Sequence, residues 1–313
     1  MASSKSRRAQ RITLLSGAPL AVLVVLAALA LAGGAARWTD TASSHEPVEA
    51  WTTLPQFGPE PEGGRVGHAP VNLINIWYAV YGPELDPEAD KPPVLLLHGG
   101  LADSSYWNDL VPALVAKGRT VIVMDSRGHG RTTSNPEPYG YGLMAEDVEM
   151  LLGFLHVPKV DLVGWSDGGI IGLELAIQRP ELLSSLFAYG ANAKPDGLIP
   201  GGDQSPVFVL GDERARQEYL RVSPHPQGWQ SFNDRINKMW ESQPDISDDQ
   251  LRSIRTRTMI ADGQYDEVIK REHTEHLAAT IPGARLEILP GVSHFGMLQN
   301  PEEFNRAVLD FLG

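Results

Sequence analysis

The segment VDLVGWSDGGIIGL, residues 160–173, combines a short apolar strand, a turn of small residues around one serine, and the start of an apolar helix. Its turn has the pattern Gly-x-Ser-x-Gly, with Ser166 at the centre. A strand that runs directly into a helix leaves no room for side chains at Gly164 and Gly168, and it holds the serine oxygen at the positive end of the helix. We therefore predict that Ser166 is a nucleophile; a purely structural turn is the alternative.

On both sides of this segment, apolar strand-like runs alternate with helical patterns. Residues 94–97 and 121–124 are continuous apolar runs, which are typical of central strands in a parallel sheet. Residues 143–155 have apolar side chains at helical spacing. This alternation, from residue 94 to 190, predicts an α/β fold with a doubly wound, mostly parallel sheet. Active sites in such sheets lie at the C-terminal ends of the strands.

The alternation stops between residues 192 and 250, which are rich in Pro, Gly and charge and contain one helical stretch. An insertion of about 60 residues is long for a loop. We predict a small helical cap or lid over the strand ends, with the core formed by residues 67–191 and 251–313. Five large side chains of the insertion could line a pocket, although an aromatic face at helical spacing is more typical of core packing: Tyr219, Trp229, Phe232, Met239 and Trp240.

Two residues near the C-terminus are the expected partners of Ser166, because a serine hydroxyl needs a base to accept its proton and an acid to orient that base. His294 follows a predicted strand and precedes the last helix, which places it at the same sheet edge as Ser166. Asp266 lies beyond the glycine turn of residues 259–266, where the chain can fold back toward His294. Asp262, at the end of that strand, is the alternative acid, but we expect it to cap the turn.

The N-terminal segment has the pattern of an export signal. Basic residues at positions 5, 7, 8 and 11 precede an uncharged stretch over residues 12–36. This pattern is typical of a cleaved signal peptide and of a retained membrane anchor, and both alternatives stay open for residues 1–37. Both predict an exported protein, periplasmic or extracellular. Residues 38–66 are rich in Pro, Gly, Thr, Ser and Glu, which predicts a linker.

Composition excludes several classes of function. The chain has 313 residues and a net charge of −13, with no basic cluster outside the N-terminus, so nucleic acid is not an expected partner. The absence of cysteine excludes disulfides, a thiol nucleophile and zinc–cysteine sites. His273 and His276 do not have the spacing of a zinc-binding helix, so we expect no metal and no cofactor. Membrane contact is expected only through the N-terminal segment, and the oligomeric state is not indicated.

Five motifs, taken in order, resemble those of the α/β-hydrolase superfamily. Ser166, Asp266 and His294 follow one another in that family's order of nucleophile, acid and base. The motifs are HGG at 98–100, DSRGHG at 125–130, GWSDG at 164–168, GQYD at 263–266 and GVSH at 291–294.

The resemblance implies roles for further residues. The backbone N–H groups of Gly100 and Asp167 are expected to form the oxyanion hole of a serine hydrolase. The remaining polar residues of the first two motifs are expected to have structural roles: His98, Asp125, Arg127 and His129.

Within the superfamily, the run GWSDGGI at 164–170 and the residues GANA at 190–193 resemble the biphenyl-hydrolase-like (valacyclovir hydrolase-like) esterase group. Haloalkane dehalogenases and epoxide hydrolases have Asp where this chain has Ser166, so they fit less well. The resemblance implies that Asp167 faces the amino group of an amino-acid ester. Alternatively, the helix dipole stabilises this carboxylate whatever the substrate. Leu101 and Trp165 are the other expected substrate contacts.

These observations predict a serine hydrolase that cleaves a small carboxylic ester through an acyl-enzyme intermediate. An amidase, a lactonase or a perhydrolase with the same triad is the alternative within enzymes. A non-catalytic binding protein on the same fold is the alternative from another class, because a fold does not determine a function.

Overall fold

The computed structural model describes residues 49–313. The predicted signal peptide or anchor, residues 1–37, and the first part of the predicted linker lie outside the described residues. Between residues 49 and 313, no helix is both long and apolar enough to cross a bilayer.

A single sheet of eight strands forms the centre of the fold. Its spatial order is β1-β2-β4-β3-β5-β6-β7-β8, with β1 and β2 antiparallel at one edge and β3 to β8 mutually parallel. This order confirms the predicted α/β-hydrolase fold with a mostly parallel sheet. The strands are β1 Arg65–Val71, β2 Ile74–Tyr81, β3 Val94–Leu97, β4 Val121–Met124, β5 Val160–Trp165, β6 Leu183–Tyr189, β7 Arg257–Gly263 and β8 Arg285–Leu289.

Helices cover both faces of this sheet, because the central strands are apolar on both sides. All four residues of β3 are fully buried. On one face of the sheet, Leu95 and Leu97 pack against helices α2 (Tyr141–Phe154) and α3 (Asp167–Gln178). On the other face, Val94 and Leu96 pack against α1 (Leu110–Val115) and α9 (Pro301–Leu312). The helices are α1 Leu110–Val115, α2 Tyr141–Phe154, α3 Asp167–Gln178, α4 Pro206–Val222, α5 Trp229–Trp240, α6 Asp248–Ser253, α7 Arg271–Thr280, α8 Gly296–Gln299 and α9 Pro301–Leu312.

The first strand, β1, begins at Arg65, within the predicted linker of residues 38–66. A turn at Asn72 and Leu73, both with positive φ, joins β1 to β2. Val66, the last residue of the predicted linker, lies inside β1. The alternation in β1 is weak, because Ala69 is its only fully buried residue. An edge strand with one solvent-facing side and few apolar residues has little sequence signal.

The segment between β6 and β7 contains three α-helices, α4, α5 and α6, where the sequence pattern indicated one helical stretch. Side chains cap two of these helices. The Ser205 hydroxyl accepts a hydrogen bond from the Phe208 N–H, with Pro206 at the first helical position, where its missing N–H costs nothing. Ser247 and Gln250 form a reciprocal capping box at α6. These caps fix where α4 and α6 begin.

Candidate active site

The turn between β5 and α3 has the sharp geometry that the Gly-x-Ser-x-Gly pattern predicts. Ser166 has φ of +53°, an uncommon value for a residue with a side chain. Its N–H donates to the Tyr189 carbonyl at 2.8 Å, which fastens the turn to the neighbouring strand. A side-chain carbon at Gly164 or Gly168 would lie closer than 3.0 Å to backbone atoms of neighbouring elements. Only glycine fits at these two positions, as the sequence indicated.

The loops after β7 and β8 bring the predicted acid and base together. His294 Nδ1 and Asp266 Oδ2 are 2.7 Å apart, and both side chains are 2% exposed. The other oxygen of Asp266 accepts hydrogen bonds from the Val268 and Ile269 N–H groups, at 2.7 and 2.8 Å. Because Asp266 occupies Nδ1, a neutral His294 has its lone pair on Nε2, the nitrogen that a general base uses.

Ser166 and His294 line one cavity of about 660 Å³, which lies between the strand ends and the insertion. This volume is typical of a small-molecule site. Asp266 lies behind His294 and does not line the cavity. The cavity collects every other residue that the sequence analysis proposed for the site: Gly100, Leu101, Trp165 and Asp167.

The predicted oxyanion-hole residues are Gly100, in the turn after β3, and Asp167, the first residue of α3. Within residues 49–313, no oxygen accepts a hydrogen bond from the Gly100 N–H. The Asp167 N–H is among the first amides of a helix, which have no acceptor inside the helix. A side-chain carbon at Gly100 would lie 2.7 Å from Asp167 Oδ2, so the two residues are neighbours. Both amides are available to a bound oxyanion.

His98 fixes the turn that carries Gly100. Its Nδ1 donates to the Gly99 carbonyl at 2.7 Å, and its Nε2 accepts from the Ser126 N–H at 2.9 Å. Both ring nitrogens are therefore used. Burial lowers the pKa of the neighbouring His129 to about 3, so this imidazole is neutral.

Arg127 and Asp125 hold the loop after β4. Arg127 forms a bidentate ion pair with Asp147 of α2, and both side chains are buried. Asp125 accepts from the N–H groups of Ser104 and Arg131. Neither Asp125 nor Arg127 lines the cavity, which agrees with the structural roles expected for them.

Asp167 lies in an unusual environment for a carboxylate. Its Oδ1 accepts a hydrogen bond from the Tyr141 hydroxyl at 2.8 Å, and Trp240 Nε1 lies 3.2 Å from both of its oxygens. Burial raises the pKa of Asp167 to about 6, and these two donors oppose the rise. In the part of the chain that the structure describes, no Lys, Arg or His forms an ion pair with it. Sequence reasoning missed Tyr141, which lies 26 positions away and belongs to no motif.

Of the five large side chains noted in the insertion, only Trp240 lines the cavity. Tyr219 and Phe232 stack on each other at 5.0 Å, and Trp229 packs against both. Those residues, with Met239, form core contacts of the insertion, as the helical spacing favoured.

Burial also governs the protonation of the acid–base pair. It raises the pKa of Asp266 to about 6, against the hydrogen bonds from Asp262 and the two amides. It lowers the pKa of His294 below its usual value, although nearby carboxylates oppose this. At neutral pH the pair therefore consists of a carboxylate and a neutral imidazole.

Asp262, the alternative acid, caps the turn after β7. It accepts hydrogen bonds from the Gly263 N–H at 2.8 Å and the Thr274 hydroxyl at 2.5 Å. Burial and the charge of Asp266 raise its pKa well above the usual range. Within residues 49–313, no group of three or more His, Asp or Glu side chains has a geometry that could hold a metal ion.

Comparison with known proteins shows the family to which this chain belongs. The alpha/beta hydrolase family matches residues 94–307, and the chain belongs to this family. It is 30% identical over 251 residues to "Putative carbamate hydrolase RutD" of Rhizobium rhizogenes, covering 71% of this chain and 94% of that protein. It is 28% identical over 284 residues to serine hydrolase BPHL of Mus musculus, covering 85% of this chain and 94% of that one.

Among solved structures, a hydrolase from Pseudomonas aeruginosa PA01 is similar, with a TM-score of 0.63 and 27% identity. The match covers 80% of this chain and 99% of that protein. The chain is thus a hydrolase of the alpha/beta hydrolase family, and its relatives include one named for the group that the sequence resembles.

Proposed function

We propose that this protein cleaves small carboxylic esters through an acyl-enzyme intermediate on Ser166. The proposal rests chiefly on one observation: the cavity that contains Ser166 also contains the imidazole of His294, which is hydrogen-bonded at 2.7 Å to the buried Asp266. A hydroxyl, a neutral imidazole and a carboxylate are the components of a proton-transfer triad.

In the proposed reaction, Ser166 Oγ attacks the ester carbonyl while His294 Nε2 accepts the hydroxyl proton. A bond forms between Oγ and the carbonyl carbon, and the carbonyl oxygen becomes an oxyanion near the N–H groups of Gly100 and Asp167. The C–O bond to the alcohol then breaks, and His294 returns the proton to the leaving alcohol. Water repeats the sequence on the acyl-enzyme, releasing the carboxylic acid and restoring Ser166. Asp266 orients the imidazole throughout and stabilises its charged form.

A fluorophosphonate probe tests the nucleophile directly, because it reacts covalently with activated serines. We expect stoichiometric labelling of Ser166 in the folded protein and none in Ser166→Ala. Ser205→Ala, which removes a hydroxyl that serves as a helix cap, is the matched control and should label normally. Failure of the folded wild-type protein to react would contradict the proposal and favour the binding-protein alternative.

The substrate class can be assigned by a panel of p-nitrophenyl esters of increasing chain length, tested beside an amide, a lactone and a carbamate. Leu101 and Trp165 give the cavity apolar walls next to Ser166, and its volume of about 660 Å³ limits the size of the acyl group, so we expect short- and medium-chain esters to react faster than long-chain ones. A preference of at least about tenfold for the amide or the lactone would move the assignment to those alternatives. The carbamate is included because a relative is named for that substrate.

A narrower candidate, hydrolysis of amino-acid esters, is favoured by the environment of Asp167. This carboxylate lines the cavity beside Gly100, and its protein partners are uncharged. A ligand ammonium group at this position would supply the missing positive charge. Asp167→Asn should raise KM for an amino-acid ester at least about tenfold and leave KM for the N-acetylated ester within about twofold. Equal changes for both esters would contradict this candidate.

We also propose that the mature domain is exported. The support is the basic flank and uncharged stretch of residues 5–36. Fractionation of cells that produce the full chain should place the esterase activity outside the cytoplasm, and the mass of the recovered protein distinguishes a cleaved signal from a retained anchor. Activity confined to the cytoplasm would contradict the proposal.

A further inference from the structure

The segment before β1 is attached to the active-site loops. Residues 50–57, called here the N-terminal arm, were expected to belong to a linker. Trp51 stacks on Tyr265, the neighbour of Asp266, with ring centroids 4.8 Å apart. The Arg214 guanidinium of α4 donates to the carbonyls of Leu54 and Pro55. The arm thus contacts both the loop of the acid and the first long helix of the insertion.

Gln299, at the end of α8, connects the arm to the loop of the base. Its Nε2 donates to the Thr53 carbonyl at 2.9 Å and lies 3.3 Å from the Trp51 carbonyl oxygen. Its Oε1 accepts a hydrogen bond from the Ser293 N–H at 2.7 Å, and Nε2 also donates to the Ser293 hydroxyl oxygen at 2.9 Å. A single amide side chain therefore joins the arm to the residue that precedes His294.

Ser293 is fixed at each of its polar groups. Gln299 binds its N–H and its hydroxyl oxygen, and the Tyr189 hydroxyl donates to its carbonyl at 2.6 Å. The residue is fully buried. Since Ser293 directly precedes His294, its position fixes where the backbone of His294 begins and therefore where the imidazole can lie.

We propose that Gln299 is a positioning residue and that the N-terminal arm is a brace, which together hold His294 in register with Ser166. This inference rests on the proposed serine chemistry. Gln299 does not line the cavity, so its effect must pass through the base loop. A displacement of about 1 Å in a reacting group can cost about a hundredfold in rate. Substrate binding should change little, since the cavity walls stay in place.

Substitutions in the full chain test the brace. Gln299→Met keeps the length of the side chain and removes its hydrogen bonds to Ser293 and the arm. We expect kcat to fall by about tenfold to a hundredfold, with KM within about twofold of wild type. Gln230→Met, on an exposed part of α5 where the side chain bonds only to Asp234, is the matched control and should leave kcat unchanged.

Two further variants separate the arm from the base loop. Gln299→Glu keeps an acceptor for the Ser293 N–H but cannot donate to the arm carbonyls. Trp51→Ala removes the stacking on Tyr265 and leaves Gln299 intact. Both should lower kcat at least about threefold and slow fluorophosphonate labelling in proportion. If Gln299→Met does not fold, these two variants still test whether the arm and Gln299 position His294.

The results distinguish this inference from the proposed function. A wild-type protein that does not react with the probe contradicts the serine chemistry itself. A reactive wild type, together with folded Gln299 and Trp51 variants whose kcat lies within twofold of it, overturns the brace alone. A fall in kcat that merely follows a loss of folded protein, measured by circular dichroism, also counts against it.

Discussion

Asp266 and Asp167 are two buried carboxylates close to the candidate reaction centre, and they differ in what surrounds them. Burial raises the pKa of each to about 6. Asp266 accepts two backbone N–H groups and the imidazole of His294. Among residues 49–313, the donors to the Asp167 side chain are a phenol and an indole, those of Tyr141 and Trp240.

The difference shows how similar pKa shifts can serve different purposes. Asp266 has a partner that becomes a cation during the proposed reaction, so its charge is compensated when the transition state forms. Asp167 forms no direct ion pair among residues 49–313, although a charged His294 attracts it through space, and one of its two donors belongs to the insertion. Its environment therefore depends on the position of α5.

The largest expected effect is a loss of kcat when Asp266 is replaced. Asp266→Asn should lower kcat by about 10⁴, because an amide favours the wrong imidazole tautomer and cannot stabilise the imidazolium. Asp167→Asn is the matched variant, and it should keep kcat for a neutral ester within about tenfold. Steady-state kinetics with p-nitrophenyl acetate measure both. Equal losses would mean that the two carboxylates share one role.

The second largest expected effect is on the free energy of unfolding, and it comes from Asp167. The folded-state pKa of Asp167 lies above its ordinary value of 3.8, so the folded protein prefers the protonated carboxyl. The protonated Asp167 carboxyl makes its full contribution to the free energy of unfolding below about pH 4. This contribution, about 3 kcal/mol, is lost as the pH rises through about 6. Asp167→Asn avoids this loss. Urea unfolding should show the variant to be the more stable protein at pH 8, with the difference shrinking toward pH 4.

A stability difference for Asp167→Asn that does not vary between pH 4 and pH 8 would contradict the assigned environment. Asp248→Asn provides the comparison, since this carboxylate is exposed and its pKa is lowered by the His276 hydrogen bond. Its pH dependence should have the opposite sign.

The smallest expected effect is the pH dependence of the rate. The reaction needs an ionised Asp266 and a neutral His294. Since burial raises the pKa of the acid to about 6 and lowers that of the base, kcat/KM should be flat near neutrality and fall below about pH 6. The fall should be about tenfold per pH unit, because one proton titrates the coupled pair. A midpoint near pH 8 would show that another group controls the reaction.

The candidate catalytic residues could be selected from the sequence because each lies in a motif that is local in the chain. The turn around Ser166 follows from two glycines, one strand and one helix, all within fourteen residues. The strand rhythm then places Asp266 and His294 at the same sheet edge. Contacts that carry no local pattern were not predictable: Tyr141 and Trp240 reach Asp167 from elements far along the chain.

The N-terminal arm illustrates the same limit. It belongs to a segment, residues 38–66, whose content of Pro, Gly, Thr, Ser and Glu is typical of a linker, and no periodicity marks a buried face. Besides the stacking of Trp51 on Tyr265, its attachment depends on backbone carbonyls that accept hydrogen bonds from Arg214 and Gln299. Backbone groups are the same in every sequence, so a segment held through them resembles a free one until its partners are known.

The positive φ of Ser166 affects the choice of an inactive variant for trapping substrates. A residue with a side chain in such a region of φ/ψ space costs about 1–3 kcal/mol, whereas glycine adopts it readily. Alanine at position 166 removes the hydroxyl and retains the unfavourable torsion. Glycine removes both, so we expect Ser166→Gly to be inactive and to withstand heating better than Ser166→Ala. The proposed nucleophile would then hold a torsion that lowers the stability of the fold.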